Sequence, residues 1–335
     1  MTVSIIVPCY NEAAHIERFI SNIVACEKPE SFEVIVVDGM STDGTREKIM
    51  ELVGKYKWLF LMTNDKHYTS ISLNIGIRGS RGDVIIRMDV HTEYHPKYIM
   101  ECLRNIQNKK GANVGGPWLP LLDPDNYIQY SIALAFSSPF AIGPAKGHDA
   151  QYEGIVDTVY LGCWEKSTLL KVGLFDESLI RNQDDELCFR IKEAGLVNYQ
   201  DPKIISWYCP RASIPKLFRQ YFQYGYWKMR VIKKHGRPAS FRHLVPSLAL
   251  LLGACLAIGS FFSLGSFYAL LFLASVYIVL DIFFALKIAF GCQRKTVCFI
   301  LPLVLSVFHF SYGLGFILSL VSPKYRNPAV SRISR

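Results

Sequence analysis

The stretch "VSIIVPCYNEAAHIERFI" (residues 3–20) opens as a short apolar, β-branched run, breaks at Pro8 into a polar cluster, and resumes with apolar residues at helical spacing. A strand covered on both faces reads as a near-continuous apolar run, whereas a half-solvated strand alternates. "FEVIVVD" (32–38), "WLFLM" (58–62) and "DVIIRMD" (83–89) repeat the first pattern, with the helix-like stretches "STDGTREKIMELVGKY" and "SISLNIGIRGSR" between them. This alternation predicts an α/β fold, with a Rossmann-like, mostly parallel sheet and flanking crossover helices. Ligands of such sheets sit beyond the carboxyl ends of the strands. The clusters "PCYNE", "VDGMSTDGT" and "RMDVH" at those ends are therefore expected to converge on one crevice.

Within those clusters, individual residues admit both chemical and structural roles. Asp38 could cap the next helix, but Ser41, Thr42 and Asp43 can do so equally well, which leaves Asp38 for a ligand. Glu12 is expected just inside a helix start, where the helix dipole alone would satisfy it. Asp89 and His91, two positions apart, can face one side of an extended segment. That spacing suits a metal site and equally the polar end of a buried strand. The absence of G-x-G-x-x-G after the first strand, and of G-x-x-x-x-G-K-[ST] anywhere, argues against nicotinamide and P-loop enzymes. The nine cysteines are scattered, with no C-x-x-C pair, so they read as thiols in a reducing compartment rather than zinc ligands.

Charge divides the chain. Residues 202–335 carry 17 Lys and Arg against a single acidic residue, Asp281, while residues 1–201 carry 20 basic and 27 acidic residues. A basic half joined to an acidic half predicts a globular domain attached to something that meets an anionic surface. Three apolar segments, 244–262, 266–290 and 297–321, are each long enough for a bilayer core, so that surface is a membrane rather than nucleic acid. Pro302 and His309 make the third the one expected to be re-entrant or interfacial, and Asp281 within the second is costly unless paired or hydrated. The opening "MTVSIIVPCY" is too short and uncharged to read as a signal peptide, so the first 200 residues are expected to stay cytoplasmic.

Five motifs in order, "VSIIVPCYNEAAHIERFI", "EVIVVDGMSTDGT", "SLNIGIRGSRGDVIIRMDVH", "GLFDESLIRNQDDELCFRI" and "QYFQYGYWKMR", resemble an inverting family 2 glycosyltransferase with a GT-A fold. Among these, the chain is most similar to the membrane-attached, succinoglycan-type enzymes of bacterial polysaccharide assembly. The resemblance implies a GT-A catalytic domain over 1–210, an amphipathic interfacial stretch over 211–242, two or three membrane helices over 243–322 and a basic tail over 323–335. It implies that Pro8, Tyr10, Glu12 and Asp38 line the nucleotide pocket. It further implies that Asp89 holds Mg2+ or Mn2+ on the donor diphosphate, His91 completing the shell, with Arg87 standing where the family has the first Asp of a pair. In "NQDDEL" it puts Asp184 at the general base and Gln183 at a position where the family has Glu. An acceptor hydroxyl needs such a base because its own pKa is too high for unassisted attack.

The implied reaction is transfer of one sugar from a nucleotide-sugar donor, above all a UDP-sugar, to a lipid-linked oligosaccharide. The implied location is the cell inner membrane, multi-pass, and nucleic acid is not an expected partner. Tyr226, where processive members carry Arg, favours single transfer, and Trp227 and Trp164 are candidates to stack on an acceptor sugar. Two alternatives stay open. The acceptor could be a polyprenyl phosphate, which needs no base, or the chain could be a catalytically silent membrane scaffold.

Overall fold

The computed structural model describes residues 1–322, and the expected basic tail, 323–335, lies outside the described residues. In chain order the elements are β1 (Val3–Cys9), α1 (Ile16–Ala25), β2 (Phe32–Asp38), α2 (Thr45–Lys55), β3 (Leu59–Thr63), α3 (Thr69–Gly79), β4 (Val84–Arg87), β5 (Thr92–Tyr94) and α4 (Tyr98–Gln107). There follow β6 (Asn113–Gly116), β7 (Leu119–Pro120), α5 (Tyr127–Ala135), α6 (Pro139–Ile142), β8 (Gly154–Ile155), β9 (Tyr160–Glu165), α7 (Lys166–Val172) and α8 (Gln183–Glu193). The last are β10 (Asn198–Gln200), β11 (Ser206–Tyr208), α9 (Ile214–His235), α10 (Val245–Gly259), α11 (Leu264–Gly291) and α12 (Leu301–Val321). They form two compact units, Met1–Leu119 with Ala145–Cys209, and Pro120–Pro144 with residues 210–322.

The first unit is built on an eight-stranded sheet in the order β3-β2-β1-β4-β9-β6-β10-β8. β3, β2, β1 and β4 are parallel, and β9 runs antiparallel between β4 and β6. The expected mostly parallel sheet with flanking helices is therefore present. Its continuous apolar strands follow from coverage on both faces. Ile5, Val7, Val34 and Val36 pack with Ile16, Phe19, Ile20 and Ile23 of α1, while the alternate residues Ile6, Ile35 and Val37 pack with Leu73 and Ile77 of α3 and with Leu187 and Ile191 of α8. Each such fully buried aliphatic side chain contributes about 1.5–3 kcal/mol. Trp164 belongs to this second layer, only 2% exposed and edge-on to Phe175, so it is a core residue and not an acceptor platform.

One boundary differs in a way that matters. α1 begins at Ile16, and residues before it form a turn in which the amides of His15 and Ile16 both donate to the Glu12 carbonyl. Glu12 thus precedes the helix by a full turn, and its side chain is not a helix-dipole partner.

The second unit comprises α5, α6 and α9–α12. Two of its helices are long and apolar enough to cross a membrane, α11 and α12, with α10 shorter at 15 residues. At 1.5 Å per residue α10 covers about 22 Å, less than the roughly 30 Å hydrocarbon core. The short segment is therefore the first apolar one, not the third. Pro302 lies in the first turn of α12, where its missing N–H costs no helical bond, and so it starts the helix instead of interrupting it. His309 is turned inward: its Nε2 donates to the Phe140 carbonyl at 2.6 Å, and its Nδ1 lies 3.0 Å from the Tyr277 hydroxyl. Asp281 is likewise turned away from the outer surface, 5% exposed, one helical turn after Tyr277.

α9 lies along α12. Gly225 abuts the Tyr312 carbonyl and Gly315 abuts the Phe222 carbonyl, so that any β-carbon at either glycine would collide with the facing backbone. The α9 cations then cap the end of α12, Lys233 Nζ donating to the Ser319 carbonyl at 2.9 Å and Arg230 Nη2 to that of Ser322 at 3.2 Å. Cations are favoured there by the negative helix terminus. On α9, Tyr221 and Gly225 are buried in this packing, whereas Phe218 is exposed.

Candidate active site

The loops after β1 and β2 are laced together by side chain to backbone bonds. The Asn11 amide donates to Ser41 Oγ and the Thr42 amide to Asn11 Oδ1, at 2.8 and 2.9 Å. The Glu12 amide donates to Thr45 Oγ1 at 2.8 Å and the Ala13 amide to Asp43 Oδ2 at 3.1 Å. Asp38, fully buried at the end of β2, accepts from Ser41 Oγ at 2.6 Å, from the Ser41 amide at 3.2 Å and from Arg46 Nη1 at 3.2 Å. Its carboxylate therefore shapes the turn that follows β2. Pro8 and Tyr10 stand beside it, both partly exposed, and Cys9 between them is buried. Burial, then the charges of Glu12 and Asp38, push the Cys9 thiol well up, so it stays protonated.

Three non-glycine residues at the ends of β1, β2 and β3 adopt left-handed backbone, Asn11 (φ 54°), Met40 (φ 61°) and His67 (φ 63°). Left-handed conformations outside glycine are uncommon, and the strain they store clusters at functional sites.

At the end of β4 the chain continues extended, and Arg87 folds toward Asp89, two residues on. Nε and Nη2 of Arg87 donate to the two oxygens of Asp89 at 3.0 and 3.1 Å, a two-pronged pair with both side chains largely buried. Arg87 thus neutralises the only carboxylate of "RMDVH" instead of pointing away from it. A carboxylate has about four lone-pair positions, of which this pair takes two. The Tyr94 hydroxyl fixes the backbone here, accepting from the Asp89 amide at 2.6 Å and donating to its carbonyl at 3.1 Å. Burial, then the Asp89 charge, raise the hydroxyls of Tyr94 and Tyr160 well above the ordinary range. Both stay neutral. His91 faces Glu12, with Nδ1 3.4 Å from Oε1.

Asn182, in left-handed conformation, turns the chain into α8, whose first turn holds Asp184, Asp185 and Glu186. Acidic residues are favoured at this positive helix end. Helical rotation then separates their roles. Glu186 is fully buried and forks onto Arg190 at 2.8–3.0 Å, while Arg190 donates to the carbonyls of Val172 and Leu174 at 2.6 and 2.7 Å. Glu186 is a brace. Asp184 and Asp185 remain partly exposed, and Asp184 Oδ1 accepts the Asp185 amide at 3.0 Å.

Arg87 links the two carboxylates electrostatically. Burial works against its charge, but Asp89 and then Asp184 more than offset this, and the guanidinium stays charged. Asp184 responds in the opposite sense: burial and the Asp185 charge raise its carboxyl above the ordinary range, and Arg87 pulls it back. Arg87 Nη1 and Gln183 Oε1, both buried, keep no hydrogen-bond partner among the described residues.

No three His, Cys, Asp or Glu side chains among the described residues stand close enough to enclose a metal ion by themselves. Asp89, His91 and Glu12 still fit the donor chemistry of a hard divalent cation that takes one or two protein ligands and completes its shell with phosphate oxygens and water. Sequence reasoning names Pro8, Tyr10, Glu12, Asp38, Asp89, His91 and Asp184 as candidates, and does not name His67, Tyr94 and Tyr160, which the structure sets beside Tyr10 and Asp89. Only tertiary contact reveals these three.

Residues 4–160 match the family described as Glycosyl transferase family 2. The succinoglycan biosynthesis protein ExoA of Rhizobium meliloti (strain 1021) is 29% identical over 258 residues, 76% of this chain and 77% of that protein. A dolichyl N-acetyl-alpha-D-glucosaminyl phosphate 3-beta-D-2,3-diacetamido-2,3-dideoxy-beta-D-glucuronosyltransferase of Methanococcus voltae is 28% identical over 241 residues, 69% of this chain and 74% of that one. Among solved structures, the mannosyltransferase PcManGT from Pyrobaculum calidifontis, in complex with GDP-Man and Mn2+, superposes with a TM-score of 0.64 over 96% of this chain and 88% of that one, at 16% identity. That likeness establishes the GT-A fold.

Proposed function

We propose, from the premise that residues 4–160 of this chain form a family 2 glycosyltransferase domain, that the chain transfers a single sugar with inversion from a nucleotide-sugar donor to a lipid-linked acceptor. The single observation that carries this reading is the pairing of Arg87 with Asp89 beside Asp184, because it puts the two carboxylates the reaction needs into one charge system. Asp89, with His91 and Glu12 nearby, would hold Mg2+ or Mn2+ at the diphosphate end of the donor. The cation, when bound, neutralises charge on the departing diphosphate. Asp184 accepts the proton of the acceptor hydroxyl as that oxygen attacks the anomeric carbon. Its raised pKa strengthens it as a base while leaving it ionised above that pKa. Pro8, Tyr10 and Asp38 hold the nucleoside, and a UDP-sugar is the donor we favour.

The relatives in succinoglycan biosynthesis and on a dolichyl-linked sugar support a lipid-linked acceptor. The two membrane-length helices and the basic α9 support attachment to an anionic membrane, with the catalytic unit on its cytoplasmic side. In a cell this would be the inner membrane. Incubating the full chain with UDP-sugars, Mn2+ and extracted lipid acceptors tests the reading. Transfer of one sugar per acceptor is expected, and transfer undiminished in Asp184→Asn would replace the hydroxyl acceptor by a polyprenyl phosphate.

A further inference from the structure

The fork of Arg87 on Asp89 engages Nε and Nη2 and leaves Nη1 over, a buried donor with no partner among the described residues. Gln183, the first residue of α8, is as withdrawn from water as Arg87, and its Oε1 is a buried acceptor in the same condition. Leaving such a group unpaired costs about 1–3 kcal/mol. The two stand on one side of the sheet. Side chains alternate along β4, and Ile85 packs in the layer of Leu187 and Ile191, so Arg87, two residues on, projects into that same α8 layer. Gln183 precedes Leu187 by one helical turn on the buried face of α8. The charge of Asp184, next to Gln183 in the chain, is felt at the Arg87 guanidinium. A donor and an acceptor thus meet one corner of the site from different elements, yet they do not bond each other.

In the scheme proposed above, the anomeric carbon lies between the diphosphate at Asp89 and the base Asp184, and Arg87 interacts with both carboxylates. The ring substituent nearest that carbon is the one on C2. Asp89, Asp184 and Asp185 outnumber Arg87, so an anionic substituent is repelled and a neutral one that both accepts and donates is suited. A hydroxyl carries both functions on one oxygen, whereas an amide spreads them over two atoms and can span two partners that do not meet. We infer that Arg87 Nη1 and Gln183 Oε1 together bind an acetamido group on C2 of the transferred sugar, Nη1 donating to its carbonyl and Oε1 accepting its N–H. The donor is then a nucleotide-activated 2-acetamido sugar. This rests on the donor site and base proposed above and deepens them. A site built around such bonds discriminates strongly, because an analogue without the amide leaves buried groups unpaired.

The test is calorimetric titration of the full chain in detergent, with Mn2+, against UDP, UDP-N-acetylglucosamine, UDP-N-acetylgalactosamine, UDP-glucose and UDP-galactose. The two C4 configurations keep the reading of C2 independent of that position. The tighter of the two acetamido nucleotides is expected to bind at least about tenfold tighter than its 2-hydroxyl counterpart, on the order of one buried hydrogen bond left unmade. Gln183→Met, close in size but without the acceptor, should lose most of that preference and keep native affinity for UDP. The four sugar nucleotides on the native chain decide the matter even if that variant folds poorly. A smaller preference in the native chain, or a preference intact in folded Gln183→Met, overturns the inference while binding of UDP leaves the donor site standing. Absence of metal-dependent UDP binding overturns both.

Discussion

Asp38 and Asp184 are both carboxylates at the mouth of one sheet, and they are built for opposite ends. Asp38 is fully buried and held by a hydroxyl, an amide and a guanidinium, so it braces the turn beside the proposed nucleotide pocket. Asp184 is partly exposed, accepts only one amide among the bonds described above, and has its carboxyl raised by burial and by Asp185. A carboxylate beside a like charge and withdrawn from water takes a proton more readily. The first arrangement holds a shape, and the second suits the proton transfer proposed above. Asp89 is clamped like Asp38, in its case by the fork of Arg87.

The largest effect that separates the two belongs to Asp184→Asn. Turnover should fall by about a hundredfold to ten-thousandfold, the span of positioned general-base catalysis, with the melting temperature nearly unchanged. Steady-state kinetics and a thermal melt on one preparation check both halves. Next in size is Arg87→Met, which leaves Asp89 without its partner in a largely buried pair, a change that costs about 3–5 kcal/mol. Urea unfolding of the catalytic unit within the full chain should show that loss, and an unmoved midpoint would mean the pair is idle.

Asp38→Asn should act through stability and donor affinity and not through the chemical step. It removes a charge-assisted acceptor, so about 1–3 kcal/mol is expected, read as a higher KM for donor with kcat little changed. The smallest effect is Asp185→Asn. The acid limb of the activity profile reports the raised Asp184 carboxyl, and activity is lost as pH falls through that value. Removing the Asp185 charge lowers the Asp184 pKa, so the limb should shift to lower pH and activity persist in more acid solution. A limb shifted upward would contradict the placement of the two charges.

The strands and the convergence of their carboxyl ends were legible because a two-sided core demands unbroken apolar runs, which "VSIIVP" and "FEVIVVD" supply. What side chains do after a strand ends was not. Spacing leaves Arg87 free to point toward phosphate or away, and only the bend beyond β4 brings its fork onto Asp89. Trp164 reads as a sugar platform by type, but its place in β9 lays it into the core beside Phe175. Hydropathy counted three equal membrane segments because it measures apolar length and not partners. α10 stops at 15 residues, and nearly half of the most apolar stretch of α12 is covered, in part by α9, against 11% for α11. His67 was missed because a lone histidine in a turn carries no periodic signal. Its meaning comes from a carbonyl 28 positions earlier in the chain.

The central claim is that Asp89 and Asp184 divide the work, one holding the donor and the other taking the proton. Calorimetric titration of UDP with Mn2+ into native chain, Asp89→Ala and Asp184→Asn tests that division without needing an acceptor. The account predicts metal-dependent binding abolished in Asp89→Ala and retained at native affinity in Asp184→Asn. Native affinity in Asp89→Ala, or binding lost in Asp184→Asn, would contradict it.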